Sequence, residues 1–196
     1  MNTTMGGRTA AHMCGSCGGG GKRDFGRIVP KAGVFARFAN ILRGPVYFFR
    51  PDDGTEFACL SNYSDHPLAL PYDDRIIEFR SVEHYYQAMK FRDTDIEWGH
   101  AIIATDSPNR VTAMGRSRWH TQDPHWHETR LSVMETAINA KFVMCRDVRE
   151  ALRGTRPRKI LCLAKHDEYW GTGEMGRGAN WLGRLWESAR DAEGFR

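Results

Sequence analysis

Apolar positions follow two rhythms along this chain. From His127 to Cys145, Leu131, Met134, Ala137, Ile138 and Phe142 recur at the spacing that lines one face of a long core helix. Asn180 to Ala192 repeats the pattern with Leu182, Leu185 and Trp186 on one side, predicting a closing helix. Thr105-Asp106-Ser107-Pro108 offers a capping residue before a proline at the first helical position, so a helix follows there and Gly115 would end it. Continuous apolar runs read instead as strands: VYFF from Val46, RIIEF at Arg75 to Phe79, and Lys159 to Ala164. Between the first two, Leu60 to Ser64 followed by Pro67 and Pro71 reads as loop. Val34, Phe35, Phe38, Ile41 and Leu42, among basic residues, predict a short amphipathic helix over Lys31 to Arg43. Helices outnumber strands and no segment repeats. The expected fold is α+β, a predominantly helical single domain over residues 46–196, behind a Gly-rich basic extension of residues 1–45 that is expected to be partly disordered.

Composition narrows the class. A chain of 196 residues with 41% apolar and 27% charged residues can bury one real core. There is no run of about 18 apolar residues and no compact apolar stretch of the secretory kind near the start, so neither a membrane partner nor export is expected and the cytoplasm is the expected location. Eight of the 28 Lys and Arg but one of the 24 acidic residues fall within the first 50 positions. That basic segment could contact nucleic acid through its phosphates, although a solvated arm explains the same excess. The five cysteines are odd in number and scattered, which argues against a disulfide framework. His12, Cys14 and Cys17 could supply three zinc ligands, but no second pair follows, and no metal or cofactor is expected. Cys59, Cys145 and Cys162 read as small core residues.

Candidate chemistry is concentrated in two stretches. In SVEHYYQAMKF, Ser81 to Phe91, a helix would place Glu83, Gln87 and Lys90 along one face as carboxylate, amide and ammonium, with His84 beside them. That face is either a site or a solvated row of paired charges. The second stretch runs from Asp167 through Trp170 and a glycine loop to Asn180. Gly171 to Gly176 satisfies GxGxxG, yet only one helix follows and no further strand, so a dinucleotide fold is not supported. Gly171 and Gly173 would instead let backbone approach a ligand closely, with Asn180 at a helix start.

LSNYS, RSVEHYYQAMKF, AMGR, Trp126, Lys141-Phe142, DEYWGTG and GANWLG occur in this order. From about Tyr47 to Arg190 the chain resembles the NADAR family, also called YbiA-like. The resemblance implies a mostly helical α+β fold and an N-glycosidase. Such an enzyme would act on ribosylamino-pyrimidine 5'-phosphates of the riboflavin pathway, releasing ribose 5-phosphate. The alternatives are removal of ADP-ribose from guanine in nucleic acid, or a catalytically silent module that binds ADP-ribose or another nucleotide. Two positions depart from the family pattern: Cys162 stands where many members have Glu, and His125 where many have Asp. Cleaving an N-glycosidic bond builds positive charge on the ribose, so Glu83 is the expected catalytic carboxylate and Asp167 the second, unless Asp167 orients the ribose hydroxyls. Trp126 or Trp170 would stack on the base. Lys90 and Arg116 would clamp phosphate, and Asn62 and Asn180 would hydrogen-bond sugar or base. His84, also counted among the binding residues, reads more readily as a hydrogen-bonded helix residue than as a base.

Overall fold

The computed structural model describes residues 43–193. The helix expected over Lys31 to Arg43, the candidate ligands His12, Cys14 and Cys17, and the extension expected to be partly disordered lie outside the described residues, save residues 43–45. In chain order the elements are β1 (Val46–Phe48), a 3-10 turn (Ala58–Leu60), β2 (Leu68–Tyr72), β3 (Arg75–Phe79), α1 (Val82–Ala88), α2 (Ile96–Ile103), α3 (Pro108–Met114), α4 (Trp126–Met144), α5 (Arg146–Arg153), β4 (Ile160–Cys162) and α6 (Trp181–Glu193). The fold is α+β and predominantly helical.

The stretch through Pro71, expected as loop, is instead the first strand of a β2–β3 hairpin. Leu68, Leu70 and Tyr72 point inward while Ala69 and Pro71 face out. In a two-stranded ladder every strand is an edge, so Pro71, opposite Ile76, is tolerated despite its missing N–H. Asp73 and Asp74 take φ of 49° and 56°, the left-handed pair that a tight hairpin turn requires. Helix α2 was not expected because Gly99 interrupts its pattern. A Cβ at Gly99 would lie 1.8 Å from the Tyr72 hydroxyl, so the glycine is what lets α2 press on the hairpin. Asp95 caps α2 by accepting from the Trp98 N–H at 3.2 Å. Helix α5, also unforeseen, buries only Val148 and Leu152 from an otherwise charged sequence.

Two arrangements position the site. All seven residues of α1 are buried, and the helix packs against α2, α3 and α4. Strands β1 and β4, far apart in sequence, pair in parallel with Val46 opposite Ile160 and Phe48 opposite Cys162. Asn180 stitches the end of β4, accepting from the Cys162 N–H at 2.9 Å and donating to the Ile160 carbonyl at 2.8 Å. Beneath the LSNYS loop, the fully buried Lys141 of α4 donates to the Ser61 carbonyl at 2.8 Å and to Ser64 Oγ at 2.5 Å. The Trp186 indole donates to the Leu60 carbonyl at 3.0 Å and fixes the same loop from α6. Burial without a contacting carboxylate pulls the Lys141 ammonium down to about 7.

Candidate functional site

A cavity of about 780 Å³ opens where α1, the LSNYS loop, the C-terminal half of α3 and the β1–β4 pair meet. Glu83 lies in its wall, 4% exposed. Its Oε1 accepts from Gln87 Nε2 at 2.8 Å, the i+4 partner on α1, and from Thr112 Oγ1 at 2.6 Å, across on α3. The Tyr63 hydroxyl is 2.9 Å from Thr112 Oγ1 and completes the chain. The Glu83 N–H donates to the Asn62 carbonyl at 3.0 Å, so the loop held by Lys141 also fixes the backbone of the acid. Both side-chain bonds fall on Oε1, leaving Oε2 as the oxygen available to a ligand. Burial raises the Glu83 pKa, against the opposing pull of its two donors and of the nearby Lys90 and Arg116 cations.

Lys90 lies past the end of α1, which stops at Ala88, yet its ammonium reaches the same cavity and donates to the Gly115 carbonyl at 3.2 Å. Burial lowers it to about 8, with the Glu83 carboxylate opposing. Arg116, exposed, lines the cavity just past α3. On the far wall, Asp167 Oδ1 accepts from the backbone N–H groups of Tyr169 and Trp170 at 3.0 and 2.7 Å, which closes a turn and sets Trp170 in the lining. Asn62 also lines the cavity, its Nδ2 turned to Met134 Sδ at 3.6 Å.

Five of the expected site residues are not brought to the cavity lining. His84 turns away: Nδ1 is 2.8 Å from Ser81 Oγ and Nε2 is 2.8 Å from the Thr105 carbonyl, so both ring nitrogens are engaged and burial holds its pKa low. Trp126 packs behind the lining, 5.0 Å from the Tyr86 ring and with the Lys90 ammonium 5.8 Å from its own centroid. Asn180 spends its amide on β4. Gly171 gives room to Ala164, whose Cβ would be 2.6 Å from a Cβ there. Gly173 takes φ +67° beneath Glu168. The glycine run thus closes a packed turn before α6.

Sequence reasoning passed over Tyr63 and Thr112. Thr112 carried no signal beyond its place four residues after Pro108, and Tyr63 was read only as part of a loop. Cys162, read from the sequence as a small core residue, lines the cavity, and burial pushes its thiol up to about 12. It is a neutral group. Among the described residues no cluster of three or more His, Cys, Asp or Glu could hold a metal ion. Nor is any helix of the described residues long and apolar enough to cross a membrane.

Comparison with known proteins shows the family. The chain is 36% identical over 145 residues to N-glycosidase YbiA of Escherichia coli (strain K12), covering 74% of this chain and 85% of that protein. It is 32% identical over 138 residues to the riboflavin biosynthesis protein PYRR, chloroplastic, of Zea mays, covering 66% of this chain and 22% of that longer protein. The NMR structure of E. coli YbiA superposes with a TM-score of 0.67 at 30% identity, over 78% of this chain and 86% of that one. The NADAR domain matches residues 47–192, which takes in every residue that lines the cavity, and the chain belongs to that family.

Proposed function

We propose that this chain hydrolyses the N-glycosidic bond between a base and a ribose phosphate, with a ribosylamino-pyrimidine 5'-phosphate of the riboflavin pathway as substrate. The observation that carries the reading is Glu83: a carboxylate tethered through one oxygen, its other oxygen left for a ligand, in the wall of a cavity that also presents Lys90 and Arg116. Relatives named N-glycosidase YbiA and riboflavin biosynthesis protein support both the bond and the substrate.

As the C1'–N bond lengthens, positive charge grows on C1' and O4'. In this reading Glu83 Oε2 faces that charge and takes a proton from the attacking water, whose oxygen bonds to C1' as the base departs with the electron pair of the broken bond. The departing nitrogen takes up a proton from solvent, and Glu83 later returns the proton it took to solvent, so the products are the free amine and ribose 5-phosphate with the carboxylate restored. Lys90 and Arg116 hold the 5'-phosphate, the first as a compact buried charge and the second as a planar fork. With Cys162 neutral, the carboxylates opposite Glu83 are Asp53 and Asp167. Asp53 is spent on the Phe49 N–H and on Thr55, while both bonds to Asp167 fall on Oδ1, so its Oδ2 is left to orient ribose hydroxyls. Trp170 forms an aromatic wall between these poles.

Incubating the purified protein with the ribosylamino-pyrimidine phosphate and following products by mass spectrometry tests the proposal. Ribose 5-phosphate should accumulate with the wild-type protein and not with Glu83→Gln. A parallel incubation with an oligonucleotide carrying ADP-ribosylated guanine moves the substrate to nucleic acid if that alone is turned over. Turnover of neither would refute the hydrolase reading and leave a binding module.

A further inference from the structure

Three large apolar side chains stand half out of the protein beside the cavity: Tyr47, Phe49 and Leu163, exposed by 47%, 43% and 42%. Their placement follows from the strands. Val46 and Phe48 of β1 are buried in the core, so the alternation sends Tyr47 and Phe49 to the opposite face. The parallel ladder continues past β4, with the Leu163 N–H donating to the Phe48 carbonyl at 2.9 Å, and this brings Leu163 beside them. Phe49 is anchored: its N–H donates to Asp53 Oδ2 at 3.1 Å, while Asp53 Oδ1 accepts from the Thr55 N–H and hydroxyl at 2.9 and 2.7 Å. All three apolar residues line the cavity that holds Glu83. Apolar surface exposed to water on a fixed backbone is costly unless something flat and apolar covers it. The lining therefore holds cations around Lys90 and Arg116 and an apolar stretch along β1 and β4 that ends at Lys165 and His166. Trp126, the other expected stacking residue, is only 6% exposed and lies behind the lining.

We propose that Tyr47, Phe49 and Leu163 are the platform for the planar heteroaromatic base of the substrate. The base lies on the β1–β4 wall, the phosphate on the Lys90–Arg116 side, and C1' between them at Glu83 Oε2. This rests on the N-glycosidase reading and adds the residues that select the leaving group.

The test separates the two ends of the ligand. KM for the ribosylamino-pyrimidine phosphate and the inhibition constant of ribose 5-phosphate, which lacks the base, are measured for wild type, Tyr47→Ala/Phe49→Ala and Arg116→Ala. The double variant should raise KM by roughly tenfold or more, the scale of losing base stacking on aromatic side chains, and leave ribose 5-phosphate inhibition within about twofold. Arg116→Ala should weaken ribose 5-phosphate instead. An unchanged KM in the double variant, or equal weakening of both ligands, overturns the platform. So does a large drop in melting temperature with unchanged affinities, because the apolar face would then be covered by the chain itself. If wild type neither turns over the substrate nor is occupied by ribose 5-phosphate, the N-glycosidase reading has failed, and the platform falls with it.

Discussion

Replacing Glu83 by Gln removes a charge while changing almost nothing else. The amide oxygen can take the position of Oε1 and still accept from Gln87 Nε2 and Thr112 Oγ1, while the amide nitrogen replaces Oε2. Hydrogen bonds to a neutral acceptor are weaker than those to a carboxylate by about 1 kcal/mol. Against that, the folded pKa of Glu83 is raised, so its contribution to stability is present at low pH and is lost as pH rises through that pKa. The amide does not suffer this loss. The two effects oppose each other, and the melting temperature should move by no more than about 3 °C, since 1 kcal/mol corresponds to roughly 2–4 °C for a protein of this size. Catalysis should respond very differently. A carboxylate about 4 Å from a developing unit charge, at an effective dielectric of about 20, contributes about 4 kcal/mol. At 1.36 kcal/mol per tenfold, its loss lowers kcat by about a thousandfold before any contribution from proton transfer. Steady-state release of ribose 5-phosphate gives kcat, and thermal denaturation monitors the fold. A folded variant with kcat within tenfold of wild type would refute the assignment of Glu83 as the charge facing C1'.

Activity should depend on pH in a bell: kcat/KM rises as the buried Glu83 ionises, above the usual carboxylate range, and falls as Lys90 loses its proton near pH about 8. Lys90→Met should lower kcat/KM and abolish the alkaline limb, which a pH–rate series would show. Gly115 has an ordinary helical φ of −67°, but a Cβ there would lie 1.8 Å from Gln87 Oε1 and 2.5 Å from its Cδ. Gly115→Ala should therefore swing Gln87 off Glu83 and reduce kcat by roughly 10–100-fold with a small shift in melting temperature, the signature of losing one hydrogen bond to a charged group. Lys141 has its pKa depressed to about 7 from 10.5, so the unfolded chain holds that proton more readily between the two values. Stability from this group is complete above the unfolded value and is lost as pH falls toward about 7. Denaturant unfolding over that window should show stability climbing with pH, and Lys141→Met should flatten the climb.

Periodicity made the interior elements readable wherever the apolar stripe was dense. The stripe from Leu131 to Phe142 placed α4 within a residue at each end, and RIIEF was β3 as written. Pro71 hid β2 because a proline forbids a central strand but not one in a lone hairpin. Gly99 and the sparse Val148–Leu152 pair hid α2 and α5, whose reasons for being helical are tertiary. The motif SVEHYYQAMKF announced chemistry, yet residue type could not say which way each side chain turns. Glu83, Gln87 and Lys90 reach the cavity, while His84 reaches Ser81 and Thr105 on the other side of the same helix. Asn62 and Asn180 show the same ambiguity, one lining the cavity and the other bonded to strand backbone. VYFF read as a strand, but which of its side chains would face out was invisible because all four are apolar.

The parallel partnership of β1 and β4 has a consequence for synthesis. Strand β1 leaves the ribosome early, but the edge it needs is made only at Ile160–Cys162, and the side chain that pins that edge, Asn180, comes later still. A pairing this distant in sequence must wait for loop closure over most of the domain. Until then the residues of α1, Glu83 among them, have no opposite wall to face. A nascent or truncated chain would carry the acid without a chamber, and hydrolytic competence would arrive in a single late step, when the last helix docks.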